Sequence, residues 1–518
     1  MPATNSLPRD ILRPPGAPRT TYDIEVRYIE QTKHLEGLLE IQFENNSSEA
    51  ISSVLIAWPS KQGSNIELHL KGTEVSLEEN SDAKHVITFA KPVQPGHSAE
   101  LSFSFEGPLR ERDWHPRLWW GEDVLAFDDY IVRIEGGDSQ WITSGRWDPA
   151  QEAFIAEGAP CFGLLRKRKQ WLIIEDEIRG VLVRVAFSKS EEVCARHCLK
   201  AACEAIDYYV DWVGFYPACS FWIIPGIDKP WGGGPLAPGI VLLYGMSTFD
   251  ESEKDDWTYL TAHEIGHQYW GEYILTRYMP WPSTPFFKTF EQLTNAAGFE
   301  SGRGLIEWLH LGMGIYMDRM FAQQRGLDIG PPRQRMRFYL KGVAEGIDTT
   351  LEGRPYPKGI DYNNIIAHSK GFAAISAFAQ VIGHQAFERV VFRCLREYGG
   401  QRVTSGILQS LCEEEYGQPL DELFEDWVRS SKVLDYRISR SRTVSVDGEY
   451  RTEVVVACHG TLRMPVPVRA EFEDGMADQR VTDPSLDETV LVFRSPAPIK
   501  RIRLDPEDLL PLPEREAS

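Results

Sequence analysis

At 518 residues the chain is too long for one hydrophobic core and implies about three domains. Its hydrophobic fraction of 42% and charged fraction of 25% are those of an ordinary soluble globular protein. A formal charge of −21 opposes binding to nucleic acid or anionic lipid, so neither is expected as a partner.

In chain order, the Pro-rich, polar stretch from Met1 to Arg19 lacks the basic start and apolar core of a secretory signal. No segment approaches a membrane-spanning apolar run, so no membrane partner is expected. From about 20 to 190 the pattern is β. Tyr22 to Tyr28, Gly37 to Phe43 and Ala99 to Phe105 follow the strand period, with turn signals at Asn45-Asn46-Ser47-Ser48 and Gln94-Pro95-Gly96. This predicts an N-terminal β-sandwich or saddle domain. From about 191 to 435 the period becomes helical, over Glu191 to Val213, Ile306 to Gln324, Gly371 to Ile382, Ala386 to Tyr398 and Leu420 to Val428. A strand is predicted at Ser220 to Ile224. The run Gly232-Gly233-Gly234-Pro235-Leu236-Ala237-Pro238-Gly239 reads as a turn leading into an edge strand, Ile240 to Tyr244. From about 436 to 518 alternation returns in Thr452 to Val456 and Thr489 to Phe493, predicting a small C-terminal sandwich and tail. The eight cysteines read as free thiols, which places the chain in a reducing cytoplasm. Cys194, His197 and Cys198 lack a second pair of ligands at finger-like spacing and read as a helix surface.

The chemistry concentrates in Thr261-Ala262-His263-Glu264-Ile265-Gly266-His267. Residues i and i+4 of a helix share a face, so His263 and His267 converge on one zinc ion and Glu264 projects beside them as general base. In such a site the metal makes a water acidic, and the carboxylate takes its proton and passes it to the leaving group.

With these residues in place, the chain resembles the aminopeptidase N family of gluzincin zinc metallopeptidases. The resemblance rests on four landmarks in family order: Gly233-Gly234-Pro235-Leu236-Ala237-Pro238-Gly239 where the exopeptidase signature belongs, the His-Glu-x-x-His helix, Trp308-Leu309-His310-Leu311-Gly312 where the second ligand-bearing helix belongs, and His368-Ser369-Lys370-Gly371 where the tyrosine motif belongs. It implies a multidomain α+β fold with an N-terminal β saddle, a thermolysin-like, mainly helical catalytic domain and a C-terminal β-sandwich, together with bound Zn2+ and substrate contacts from Gly233 and Gly234.

Three family side chains are replaced. Leu311 stands where the third zinc ligand belongs, Leu236 where a glutamate grips a free amino group, and His368 where a tyrosine stabilises the oxyanion. Leucine neither ligates zinc nor anchors an ammonium group, whereas His368 can still donate a hydrogen bond. His267 and Leu311 are 44 positions apart, a wider spacing than the family's, which places an insert within about 282 to 305. Glu307 lies one helical turn before Leu311 on the same face and is the candidate third ligand, with Glu291 and Glu300 as alternatives. His310 points about a hundred degrees away. The insert reads as a lid or specificity loop, with Phe286, Phe287, Phe290 and Phe299 available to line a pocket.

The expected function is a zinc-dependent, peptidase-type metallohydrolase acting on a peptide or modified small-molecule substrate, with specificity shifted away from free amino termini. The alternatives are a catalytically inactive pseudopeptidase scaffold and a biosynthetic enzyme using the metal as a Lewis acid. Oligomeric state is not readable from the sequence.

Overall fold

The computed structural model describes residues 19–57, 65–68, 75–80, 84–112, 114–119, 127–227, 231–274, 307–327, 330–352, 363–401, 403–446 and 448–516. The fold is mixed α+β and divides into two compact units. The first comprises Met1–Ala297 with Met320–Asp328 and Phe392–Val403, the second Gly298–Arg319 with Ile329–Val391 and Thr404–Ser518. The insert, with Glu291, Glu300 and its four phenylalanines, lies outside the described residues.

The first unit opens with a seven-stranded sheet and a four-stranded sheet. Arg19–Ile29 pairs antiparallel with His34–Glu44, which pairs antiparallel with Ser98–Pro108. Tyr22, Ile24, Leu39, Ile41, Phe43, Leu101 and Phe103 alternate inward, as the period of two requires, and form the core of this layer.

A five-stranded sheet follows, in the order Leu172–Ile178, Val181–Phe187, Ser220–Gly226, Ile240–Tyr244, Gly232–Ala237. Two of its strands come from before residue 191, so this sheet crosses the boundary that periodicity suggested at 190. The Gly- and Pro-rich run is also more than a turn. Gly232–Ala237 is itself a strand, antiparallel to Ile240–Tyr244, and it takes the edge position while Ile240–Tyr244 becomes an inner strand. Only Pro238 and Gly239 make the turn, Gly239 with φ of 71°. Pro235 is tolerated because an edge strand uses one of its two hydrogen-bonding sides.

Helices Glu192–Val213 and Lys254–Tyr269 belong to the same unit as this sheet. Glu192–Val213 is preceded by a capping box in which Ser188 and Glu191 bond each other, and it stops at Gly214, φ 92°. Its buried face, including Cys194, Ala195, Cys198, Ala201, Ala202 and Ala205, is built of small residues that allow close packing. Cys194 and Cys198 are therefore interior and not on the helix surface, and none of the eight cysteines forms a disulfide. His197 Nε2 lies 2.9 Å from both the Lys254 carbonyl and Thr258 Oγ1, fastening this helix to the start of the next.

The second unit holds the part of helix Glu307–Arg325 up to Arg319, then Gly330–Ala344, a π-helix at Asn363–Lys370 running into the α-helix Gly371–Ile382, and Ser405–Tyr416 and Asp421–Val428. Ile365–Ile382 is apolar and long enough to cross a membrane by composition, and 83% of it is buried inside the protein. Two three-stranded sheets complete the unit: Tyr436–Val446, Glu449–Cys458 and Glu488–Ser495 in one, Ala477–Val481, Pro467–Phe472 and Ile499–Leu504 in the other.

Candidate functional site

Lys254–Tyr269 carries the histidine motif. Asp250 initiates the approach by accepting from Ser252 N at 2.8 Å, and Asp255 and Asp256 place negative charge against the positive end of the helix dipole. From Trp257 to Tyr269 every residue but His263 is buried, so the helix is enclosed on nearly all sides, with Thr258, Thr261, Glu264, His267 and Gln268 among its buried residues. Tyr269 donates from its hydroxyl to the Phe215 carbonyl at 2.5 Å, and burial keeps its phenol well above the usual pKa. The helix stops at Trp270 and the chain turns at Gly271, whose φ of 115° suits glycine.

On this helix the two histidine side chains lie side by side. His263 Nε2 and His267 Nε2 are 3.0 Å apart, their rings inclined at 73°. His267 is 5% exposed, whereas half-buried His263 lies parallel to the Tyr259 ring. Glu264, 2% exposed, faces the edge strand of the sheet. A Cβ on Gly233 would sit 2.3 Å from Glu264 Oε1, so only glycine admits the strand this close to the carboxylate. At Gly234 a Cβ would meet nothing within 4 Å. Gln268 adds a second tie, its Oε1 accepting from Gly239 N at 2.7 Å in the turn that follows the strand.

Leu236 packs its side chain against an apolar cluster containing Trp222, Ile224, Ala237 and Ile240. The position that the resemblance reserves for an ammonium-gripping carboxylate is here part of the packing beneath the sheet. Its carbonyl accepts from Arg112 Nε at 2.7 Å, and Arg112 Nη2 pairs with Glu272. Neither Arg112 nor Glu272 was found by sequence reasoning: no local pattern links residues 160 positions apart.

The remaining candidates lie in the second unit. Glu307 opens helix Glu307–Arg325, and its side chain is outside the described residues. His310 and Leu311 are both buried. On the other landmark, His368 is 9% exposed within the π-helix, an irregularity that frequently accompanies functional positions. Lys370 ends this π-helix with its ammonium wholly buried, donating to Asp348 Oδ1 at 3.0 Å, the Thr349 carbonyl at 2.6 Å and the Ser430 carbonyl at 3.0 Å. Burial lowers its pKa, opposed by Asp348, and three acceptors satisfy its three donors. Gly371 then meets the preceding landmark: a Cβ there would lie 2.7 Å from the Trp308 carbonyl oxygen, so the landmarks of the second unit are packed backbone to backbone.

Among the described residues, no group of three or more His, Cys, Asp or Glu could hold a metal ion. The donor chemistry of the pair itself fits zinc. Two imidazole nitrogens each about 2.0–2.1 Å from one tetrahedral zinc lie roughly 3.3 Å apart. The observed 3.0 Å is close to that span, and close also to a hydrogen bond between the rings.

No protein-family profile matches the chain. It is similar to Aminopeptidase M1-B of Oryza sativa subsp. japonica, with 19% identity over 274 residues, covering 49% of this chain. The relationship is distant and aminopeptidase N-like. The alignment takes in 27% of that relative's length, so about a quarter of the relative is represented. At this level the similarity points to a peptidase-like hydrolase.

Proposed function

We propose that the chain is a zinc-dependent, peptidase-type hydrolase whose specificity has moved away from free amino termini. The observation that carries the reading is the pair of Nε2 atoms 3.0 Å apart on one helix, with Glu264 buried beneath the backbone of Gly233. His263 and His267 would hold the zinc, which, when bound, supplies Lewis acidity to a water or a carbonyl oxygen. Glu264 takes the proton of the attacking water at its carboxylate and returns it to the leaving group. Among the described residues the edge strand Gly232–Ala237 pairs on one side only, and the backbone groups of its other side can align an extended substrate by strand addition. Gly234 leaves room for that approach.

Leu236 supports the shift in specificity. Its side chain is engaged in apolar packing and has no group with which to bind an ammonium. A free amino terminus brought to this strand would lose its hydration without a compensating partner from position 236, which is a cost that a blocked terminus does not incur. The same observation favours the non-catalytic scaffold as second reading. Two peptides differing only in an amino-terminal acetyl group separate these ideas. With the zinc-loaded protein, the acetylated peptide is expected to be cleaved at least as fast as the free one. A clear preference for the free amine would contradict the altered specificity, and cleavage of neither would favour the scaffold.

A further inference from the structure

We infer that Arg112 is a positioning residue that sets how closely the glycine-rich edge strand sits on Glu264. The register between Gly232–Ala237 and Ile240–Tyr244 runs regularly from Gly232 to Pro235 and then slips, with Ala237 opposite Ile240 and Leu236 left out of the pairing. Such a bulge turns a carbonyl away from the ladder and leaves it to find a partner elsewhere. Here the partner is Arg112 Nε, 2.7 Å from the Leu236 oxygen. The other arm of the same guanidinium pairs with Glu272, and the two side chains are only 10% and 11% exposed. Glu272 follows directly on Gly271, the glycine at which the chain turns after the motif helix.

One side chain thus joins the bulge of the strand to the turn that ends the helix bearing His263, Glu264 and His267. The planar fork of arginine suits two acceptors lying in different directions, and the charge of each partner is balanced in a largely desolvated place. The approach that this tether controls is a close one, since a Cβ on Gly233 would lie 2.3 Å from Glu264 Oε1. Loosening the bulge three residues further along lets the strand lift from the carboxylate. Its consequence for catalysis rests on the hydrolase reading; the position of the strand does not.

Hydrogen–deuterium exchange followed by mass spectrometry on the full chain tests this, comparing wild type, Arg112→Lys and Arg112→Ala. In Arg112→Ala the peptide spanning Gly232–Ala237 is expected to exchange about tenfold faster, because a charge-assisted bond and its partner are lost, while the peptide spanning Lys254–Tyr269 keeps its wild-type rate. Arg112→Lys, which can satisfy one acceptor but not both, is expected to fall between the two. An unchanged strand rate in Arg112→Ala would overturn the inference. Equal acceleration of strand and helix peptides in both variants would overturn it too, since that is general loss of structure. Zinc content measured on the same samples keeps the two readings apart: a wild type that binds no zinc defeats the hydrolase while the exchange data still decide on Arg112.

Discussion

Replacing Glu264 with glutamine is expected to lower peptide turnover by about 10²–10⁴-fold, the usual contribution of a positioned general base. Zinc content should not change. The substitution separates proton transfer from packing, because the carboxamide has the size and shape of the carboxylate and can remain beneath Gly233, where Oε1 now lies. Alanine would be a poorer test: it opens a hole under a strand whose glycine has no side chain to fill it, and the lost activity could follow from collapse. The thermal midpoint of Glu264→Gln should therefore stay near wild type. Turnover equal to wild type in a zinc-replete Glu264→Gln protein would remove Glu264 from the chemistry.

The second large effect is on stability. Gly312 follows the replaced ligand position Leu311, and a Cβ there would lie 2.8 Å from the carbonyl carbon and oxygen of Gly371 and 3.0 Å from Ile375 Cγ1. The reciprocal contact is as tight, at 2.7 Å from Gly371 to the Trp308 oxygen. Because the obstructing atoms are backbone, no rotamer change relieves the clash. Gly312→Val is expected to cost about 3 kcal/mol or more, at the upper end of overpacking penalties. The matched control is Gly330, the first residue of helix Gly330–Ala344, where a Cβ meets nothing within 4 Å. Gly330→Ala should change stability by less than about 1 kcal/mol. Denaturant midpoints measure both, and a Gly312→Val midpoint equal to wild type would mean that the two helices are not packed through their glycines.

Local periodicity made much of the architecture legible. Gly371–Ile382 appears with its predicted bounds, Glu192–Val213 begins one residue later than expected, and Glu307–Arg325 is displaced by one residue from the predicted helix. Thr452 to Val456 and Thr489 to Phe493 lie inside the strands Glu449–Cys458 and Glu488–Ser495. Misreadings arose where composition and tertiary context disagree. Three consecutive glycines and a proline signal a turn, yet Gly232–Ala237 is a strand because Ile240–Tyr244 offers it a ladder and an edge tolerates proline. Helix Gly330–Ala344 was not anticipated: Pro331 and Pro332 look like breakers, but in the first turn their missing N–H groups have no intrahelical partner to lose. The π-helix at Asn363–Lys370 has no periodic signature short enough to detect.

The site was legible where it is local and illegible where it is not. The shared helix face of His263 and His267, with Glu264 beside them, follows from helical spacing alone, whereas the approach of Glu264 to Gly233 follows from nothing in the sequence except the landmark order. Arg112 and Glu272 come together only through tertiary structure, as does the engagement of Leu236 in an apolar cluster. Glu307 remains the third-ligand proposal of the sequence, carried by its helical spacing from Leu311.

The central claim, a metal held by the histidine pair, is tested most directly by elemental analysis of purified protein supplied with zinc, for wild type and His263→Ala. The account predicts about one zinc per wild-type chain and its loss in the variant. A wild-type chain that stays metal-free in excess zinc, or a variant that retains the full complement, would contradict it.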